Sequence, residues 1–171
     1  MKKTLILDGA VGTELINRGL KLPLPLWSAS ANLSHPKMIT KIHQDYIDAG
    51  SDIITTNTFR ATSWTYKKLG YSKKTAKIKA NESLMRAIDC AQNTRGAMMI
   101  AGSITTIEDC YKPEMFPGIK IAEDHYNDLI NQMEFGGIKL LLFETMGNID
   151  EIKVILEILE SKPIDLSLIH I

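Results

Sequence analysis

Leu5-Ile6-Leu7-Asp8-Gly9-Ala10-Val11-Gly12-Thr13-Glu14-Leu15 is an apolar run that closes on an acid, passes two glycines and enters a segment of helical pattern. That is the reading of a strand handing its last residue to a loop, and in parallel α/β proteins such loops carry the chemistry. Three later stretches repeat it: Asp52-Ile53-Ile54-Thr55-Thr56-Asn57-Thr58-Phe59, Met98-Met99-Ile100-Ala101-Gly102-Ser103 and Leu140-Leu141-Leu142-Phe143-Glu144-Thr145. If these strands are parallel, all four endings lie on one face.

Helical patterns fill the intervals. A short helix is expected over 12–18, ended near Gly19, followed by a long loop over 21–32 held extended by Pro23 and Pro25 and containing Trp27. Ser34 reads as the N-cap of the next helix, with Pro36 in its first turn, Ile39, Ile42, Tyr46 and Ala49 on one face, and Gly50 as its stop. After the strand over 52–55 come a short helix over 60–69, closed by Gly70, and a longer one over 73–93 that aligns Ala76, Ala80, Leu84, Ala87, Ile88 and Ala91. The strand over 97–101 leads into a loop over 105–117. A helix then carries Ile119, Ala122, Tyr126, Leu129, Ile130 and Met133 to Gly136-Gly137. After the strand over 138–143, Asn148 and Glu151 suggest a capping box for a helix bearing Ile152, Ile155, Leu156 and Leu159. Pro163 ends it, and 164–171 reads as a fifth strand.

Strand and helix thus alternate four times before a final strand, which argues for a parallel sheet with right-handed crossovers. Two closures remain: an open doubly wound sheet or part of a (β/α)₈ barrel. Gly9-Ala10-Val11-Gly12 lacks the Gly-x-Gly-x-x-Gly spacing of a dinucleotide loop, which weighs against a Rossmann fold.

Composition narrows the class. The 171 residues are 44 % hydrophobic and 23 % charged with zero formal net charge, ordinary for a globular domain. Nothing in that balance favours nucleic acid or an anionic membrane. Lys73, Lys74, Lys77 and Lys79 have the spacing of a solvated helix face. No apolar run approaches the ~20 residues of a membrane span, and the run behind Met1-Lys2-Lys3 stops too early for a secretory signal. The expected location is cytoplasmic. Cys90 and Cys110 have no C-x-x-C spacing, so neither a disulfide nor a zinc knuckle is expected, and Cys90 reads as a small buried hydrophobe. His35, His43 and His125 fall in helical patterns and are not read as metal ligands.

The segment Leu7 to Leu15 resembles the opening of the homocysteine S-methyltransferases, whose homocysteine-binding barrel also occurs in betaine–homocysteine methyltransferase and cobalamin-dependent methionine synthase. Leu26-Trp27-Ser28-Ala29 with His35-Pro36, then Ala49 to Phe59, then Phe143-Glu144-Thr145 follow in the family's order. Gly102-Ser103-Ile104 agrees more weakly. The resemblance spans residues 4 to about 162.

It implies a zinc-dependent (β/α)₈ barrel that methylates homocysteine to methionine. Three family cysteines hold the zinc, one after a later strand and an adjacent pair near the last. A thiol of pKa ~8.5 is mostly protonated at neutral pH, and coordination supplies the thiolate directly. The resemblance assigns Asp8 and Glu144 to the substrate ammonium and the backbone N–H groups of Gly9 and Ala10 to its carboxylate, with Thr56 and Asn57 as polar walls. Against this stand simpler readings: an acid after a strand also caps helices or pairs with lysine, glycine permits a turn, and Asn57 forms turns. Glu14 reads as a first-turn helix acid. Trp27 covers the cavity or packs the loop.

The zinc cysteines have no counterpart here, since Cys90 and Cys110 both precede the fourth strand. A full barrel needs about 250 residues. The chain therefore reads as the N-terminal half of such a barrel, about four and a half βα units. Residues 1–171 form one incomplete domain, with 165–171 read as a non-native or misread tail. Alone it is expected to be inactive, with unpaired edges that favour self-association. The alternative is a non-catalytic half barrel that binds an amino acid or a partner chain. The methyl donor is not legible: betaine, S-methylmethionine and methylated folate through cobalamin all serve in the family.

Overall fold

Each apolar run pairs with the run before it in sequence. A computed structural model describes residues 4–97 and 99–169, the side chains of 168 and 169 excepted. In chain order the elements are α1 (Val11–Asn17), α2 (Ser30–Ser34), α3 (Pro36–Asp48), β1 (Ile53–Thr55), α4 (Ser63–Lys68), α5 (Lys73–Gln92), β2 (Met99–Ile104), α6 (Ile119–Phe135), β3 (Leu140–Glu144), α7 (Ile149–Leu159) and β4 (Asp165–Ile169). The strands form one parallel sheet in the order β1-β2-β3-β4. Leu7 extends it by a parallel bridge to Ile53. A doubly wound sheet reverses its strand order at a switch point. This sheet does not reverse, which is the winding of a barrel and settles the choice between the two closures.

The expected first strand is reduced to that bridge, for a local reason. The Asp8 N–H donates to Ile53 O at 2.9 Å and the Ile53 N–H to Ile6 O at 3.0 Å. One step earlier, the Asp52 carboxylate accepts the Ile6 N–H at 3.1 Å, where a backbone carbonyl would continue the ladder.

The main core lies between the sheet and α5, α6 and α7. Leu84, Ile88, Ile104, Tyr126, Ile130, Met133, Leu141, Phe143 and Ile155 pack there with 2 % exposure or less. A second cluster of Val11, Leu15, Ile39, Ile42 and Cys90 seats α1 and α3 against α5. Burying each Leu or Ile contributes about 1.5–3 kcal/mol. The expected face of α5 is buried throughout. Gly50, Gly70 and Gly137 have φ of +106°, +86° and +82°, as helix stops require.

Several helix details differ from expectation. Ser34 closes α2 by donating to Ser30 O at 2.9 Å, and α3 starts after His35 with no side-chain cap. Asn148 does cap α7, accepting from the Asp150 and Glu151 N–H groups at 3.0 and 3.1 Å. Glu151, however, does not reach back to complete a capping box. It is buried, accepting the Ile107 N–H at 2.9 Å and the Tyr126 hydroxyl at 2.6 Å. With Glu151 turned inward, Val154 and Ile155 follow it onto the sheet, and Leu156 is 45 % exposed. The fifth strand is present over Asp165–Ile169, in register with β3, and His170 and Ile171 lie outside the described residues. Among the described residues no helix is long and apolar enough to cross a membrane.

His43 stands out on α3. It is fully buried, and among the described residues neither ring nitrogen has a hydrogen-bond partner. Burial lowers its pKa from 6.5 to about 4. The folded state thus binds the proton less readily than the unfolded chain, so stability falls as pH drops from 6.5 to 4, by on the order of 3 kcal/mol. His43→Leu should flatten that acid limb in thermal melts between pH 7.5 and 4.5. An unchanged limb would assign the acid sensitivity to other groups.

Candidate functional site

The strand order places Asp8, the end of β1, the end of β2 and the end of β3 side by side. A cavity of about 360 Å³ opens there, lined by residues from all four positions. Asp8, Gly9, Ala10, Thr56, Asn57 and Glu144, the six residues singled out from the sequence, all line it.

Asp8 is held from the neighbouring strand end. The Thr55 N–H donates to its Oδ2 at 2.9 Å and the Thr55 hydroxyl to its Oδ1, also at 2.9 Å. Burial pushes the Asp8 pKa from 3.8 up to about 6, opposed by the Thr55 bonds and assisted by the negative charge of Glu144. Burial likewise raises Glu144, and the Ser103 side chain is the group that draws it back. Neither acid caps a helix: α1 begins after Ala10 without a side-chain cap, and α7 is capped by Asn148. Among the described residues no Lys or Arg lines the cavity. Two partly desolvated carboxylates thus face one space, an arrangement that favours a cationic guest.

Thr56 and Asn57 reach the cavity wall, and the Thr56 hydroxyl and the Asn57 amide nitrogen bond within the protein. Asn57 Nδ2 donates to Ser28 O at 2.9 Å and to Asn32 Oδ1 at 2.7 Å, while Asn32 Nδ2 returns a bond to Asn57 O at 3.0 Å. Thr56 Oγ1 accepts the Ser103 N–H at 3.1 Å and bonds Thr58 Oγ1 at 2.8 Å, whose own hydroxyl reaches Ser103 O at 2.6 Å. These bonds lock the ends of β1 and β2 together and clasp the Trp27 loop.

The first loop is tightly seated. A Cβ on Gly9 would lie 2.7 Å from Tyr46 Oη, and one on Gly12 would lie 2.7 Å from Trp27 Nε1. Trp27 both lines the cavity and packs against the second core cluster. Its φ is +51°, and Thr145, directly after Glu144, has φ +57°. Strained backbone at non-glycine residues collects at functional sites. Thr55 and Ser103 were not singled out from the sequence. The only available signal was a hydroxyl at a strand end beside an acid, and the choice between Thr55 and Thr56 depends on strand parity.

The residues present do not fit a zinc site. Among the described residues no three His, Cys, Asp or Glu side chains are grouped to hold a metal. The Cys90 thiol donates to Pro36 O at 3.4 Å, and neither Cys90 nor Cys110 lines the cavity.

Comparison with known proteins follows this geometry. The family model described as Homocysteine S-methyltransferase matches residues 5–170. The Homocysteine S-methyltransferase of Escherichia coli (strain K12) is 28 % identical over 171 residues, covering 93 % of this chain and 55 % of that protein. Homocysteine S-methyltransferase 3 of Zea mays is 39 % identical over 88 residues, which are 52 % of this chain and 26 % of that one. The chain thus spans about half, or less, of the length of these relatives. The crystal structure of the homocysteine methyltransferase MmuM from Escherichia coli in its oxidized form superposes with a TM-score of 0.84 at 24 % identity, covering 96 % of this chain and 61 % of that chain. Its metallated form gives 0.83 at 24 % identity, covering 96 % and 62 %. Both support the partial-barrel fold.

The carboxylates leave a stability signature. The folded pKa of Asp8, about 6, exceeds its ordinary 3.8, so ionising Asp8 destabilises the fold progressively between those values and fully above them. Asp8→Asn should therefore stabilise the fold at pH 7.5 by on the order of 2 kcal/mol after allowing for partial exposure, read as a higher melting temperature, and should give no gain at pH 3.5. Equal shifts at both pH values would show that burial of the charge is not the cause.

Proposed function

This chain belongs to the homocysteine S-methyltransferase family, a family of methyltransferases, and we propose that its cavity takes homocysteine by the amino-acid end. The observation that carries this reading is the pair Asp8 and Glu144: two half-buried acids at one cavity that, among the described residues, no Lys or Arg lines. An α-ammonium between them restores the electrostatic balance that desolvation removes. The substrate carboxylate lies toward the backbone of Gly9 and Ala10 in the first loop, and the thiol-bearing end points away from the acids. Thr56 and Asn57 hold the wall in shape.

In the whole protein the reaction forms a bond between the homocysteine sulfur and a methyl carbon and breaks the bond from that carbon to its donor, giving methionine. Zinc, as the family resemblance implies, would supply the thiolate. The described residues of this chain make no ligand set for it. The contribution of this chain is to bind and orient the amino acid.

Isothermal titration of the chain with homocysteine tests the reading. Affinity should be highest above pH 7 and fall as pH drops through about 6, where protonation neutralises Asp8. Glu144→Gln should weaken binding by at least tenfold, in keeping with ~1.5–3 kcal/mol for a charged hydrogen bond. Binding independent of both pH and Glu144 would overturn the proposal.

A further inference from the structure

Four adjacent strand positions present an ordered row of side chains across the cavity: the acid Asp8, the hydroxyl Thr55, the hydroxyl Ser103 and the acid Glu144. The Thr55 hydroxyl donates to Asp8 Oδ1 at 2.9 Å, and Ser103 lines the cavity together with Glu144, whose pKa its side chain lowers. We propose that Thr55 is the positioning residue that holds the Asp8 carboxylate for the incoming ammonium, with Ser103 as its counterpart at Glu144. The proposal rests on the reading of this cavity as an ammonium site.

The need for such a residue follows from the fold. Asp8 belongs to a segment joined to the sheet by an isolated parallel bridge at Leu7, and its N–H bond to Ile53 O holds the backbone but not the rotation of the carboxylate. Thr55 sits on β1, inside the sheet, with its backbone paired to Ala101 of β2. Its N–H and hydroxyl each take a different oxygen of Asp8, which fixes both the position and the rotation of the carboxylate plane. Removing the hydroxyl leaves one bond and frees that rotation. Ser103 is 4 % exposed, and its backbone is anchored on both sides by Thr56 and Thr58, so its side chain is presented from an equally rigid strand end. Two acids that repel each other across a cavity relax apart unless something restrains them, and a bound ammonium needs both within hydrogen-bonding reach.

The test uses Thr55→Val, which keeps the shape and the backbone N–H but not the hydroxyl. Titrations with homocysteine and with 4-sulfanylbutanoate, the same molecule without its amino group, separate positioning of the ammonium site from general damage to the cavity. Thr55→Val should weaken homocysteine about tenfold, leave 4-sulfanylbutanoate unchanged, and move the pH midpoint of homocysteine binding upward. Thr55→Ser should restore all three. Ser103→Ala should repeat the selective loss and carries the test if Thr55→Val does not fold. Equal weakening of both ligands, or unchanged homocysteine affinity, overturns the positioning role while leaving the ammonium site standing. An unmodified chain that does not prefer homocysteine over the deaminated analogue overturns the ammonium site itself, and this inference with it.

Discussion

Parallel hydrogen bonding between strands consecutive in sequence is the constraint from which the rest follows. It brings every strand end to one rim, so residues 8, 55, 103 and 144 become neighbours although they are far apart in the chain. It also fixes which side chains face the cavity, because the register of β1 with β2 and of β2 with β3 sets their parity together. A shift of one residue in either pairing would exchange cavity-facing groups for core-facing ones.

That geometry is used to hold two partly desolvated acids at one cavity. The cost is partly offset by hydroxyl and backbone donors: Thr55 for Asp8, Ser103 for Glu144. Around them, the amide and threonine networks of Asn32, Asn57, Thr56 and Thr58 leave few loose polar ends, which keeps the wall stiff. His43 on α3 shows the opposite situation, a buried polar ring without a hydrogen-bond partner among the described residues.

Much of this organisation is legible from periodicity. The buried face of α5, the glycine stops and the alternation of strand and helix all follow from spacing and backbone freedom, which are local properties. The acids of the site are legible because an apolar run ending in Asp or Glu is itself a pattern. What escapes is what depends on partners distant in sequence. Ser34 looks like a cap for α3, yet its hydroxyl is drawn to Ser30 O. Glu151 has the spacing of a capping box, yet Tyr126 and Ile107 offer it a buried site. Thr55 and Thr56 are adjacent and identical, and only the sheet decides that one serves Asp8 while the other braces Ser103.

The Trp27 loop has one further consequence. The chain has two tryptophans. The indole of Trp27 borders the cavity against Gly12, whereas Trp64 donates to Glu108 at 2.7 Å and does not line it. Intrinsic fluorescence therefore comes from one emitter exposed to whatever enters the cavity and one anchored away from it. The fold carries its own optical reporter of occupancy, with an internal reference.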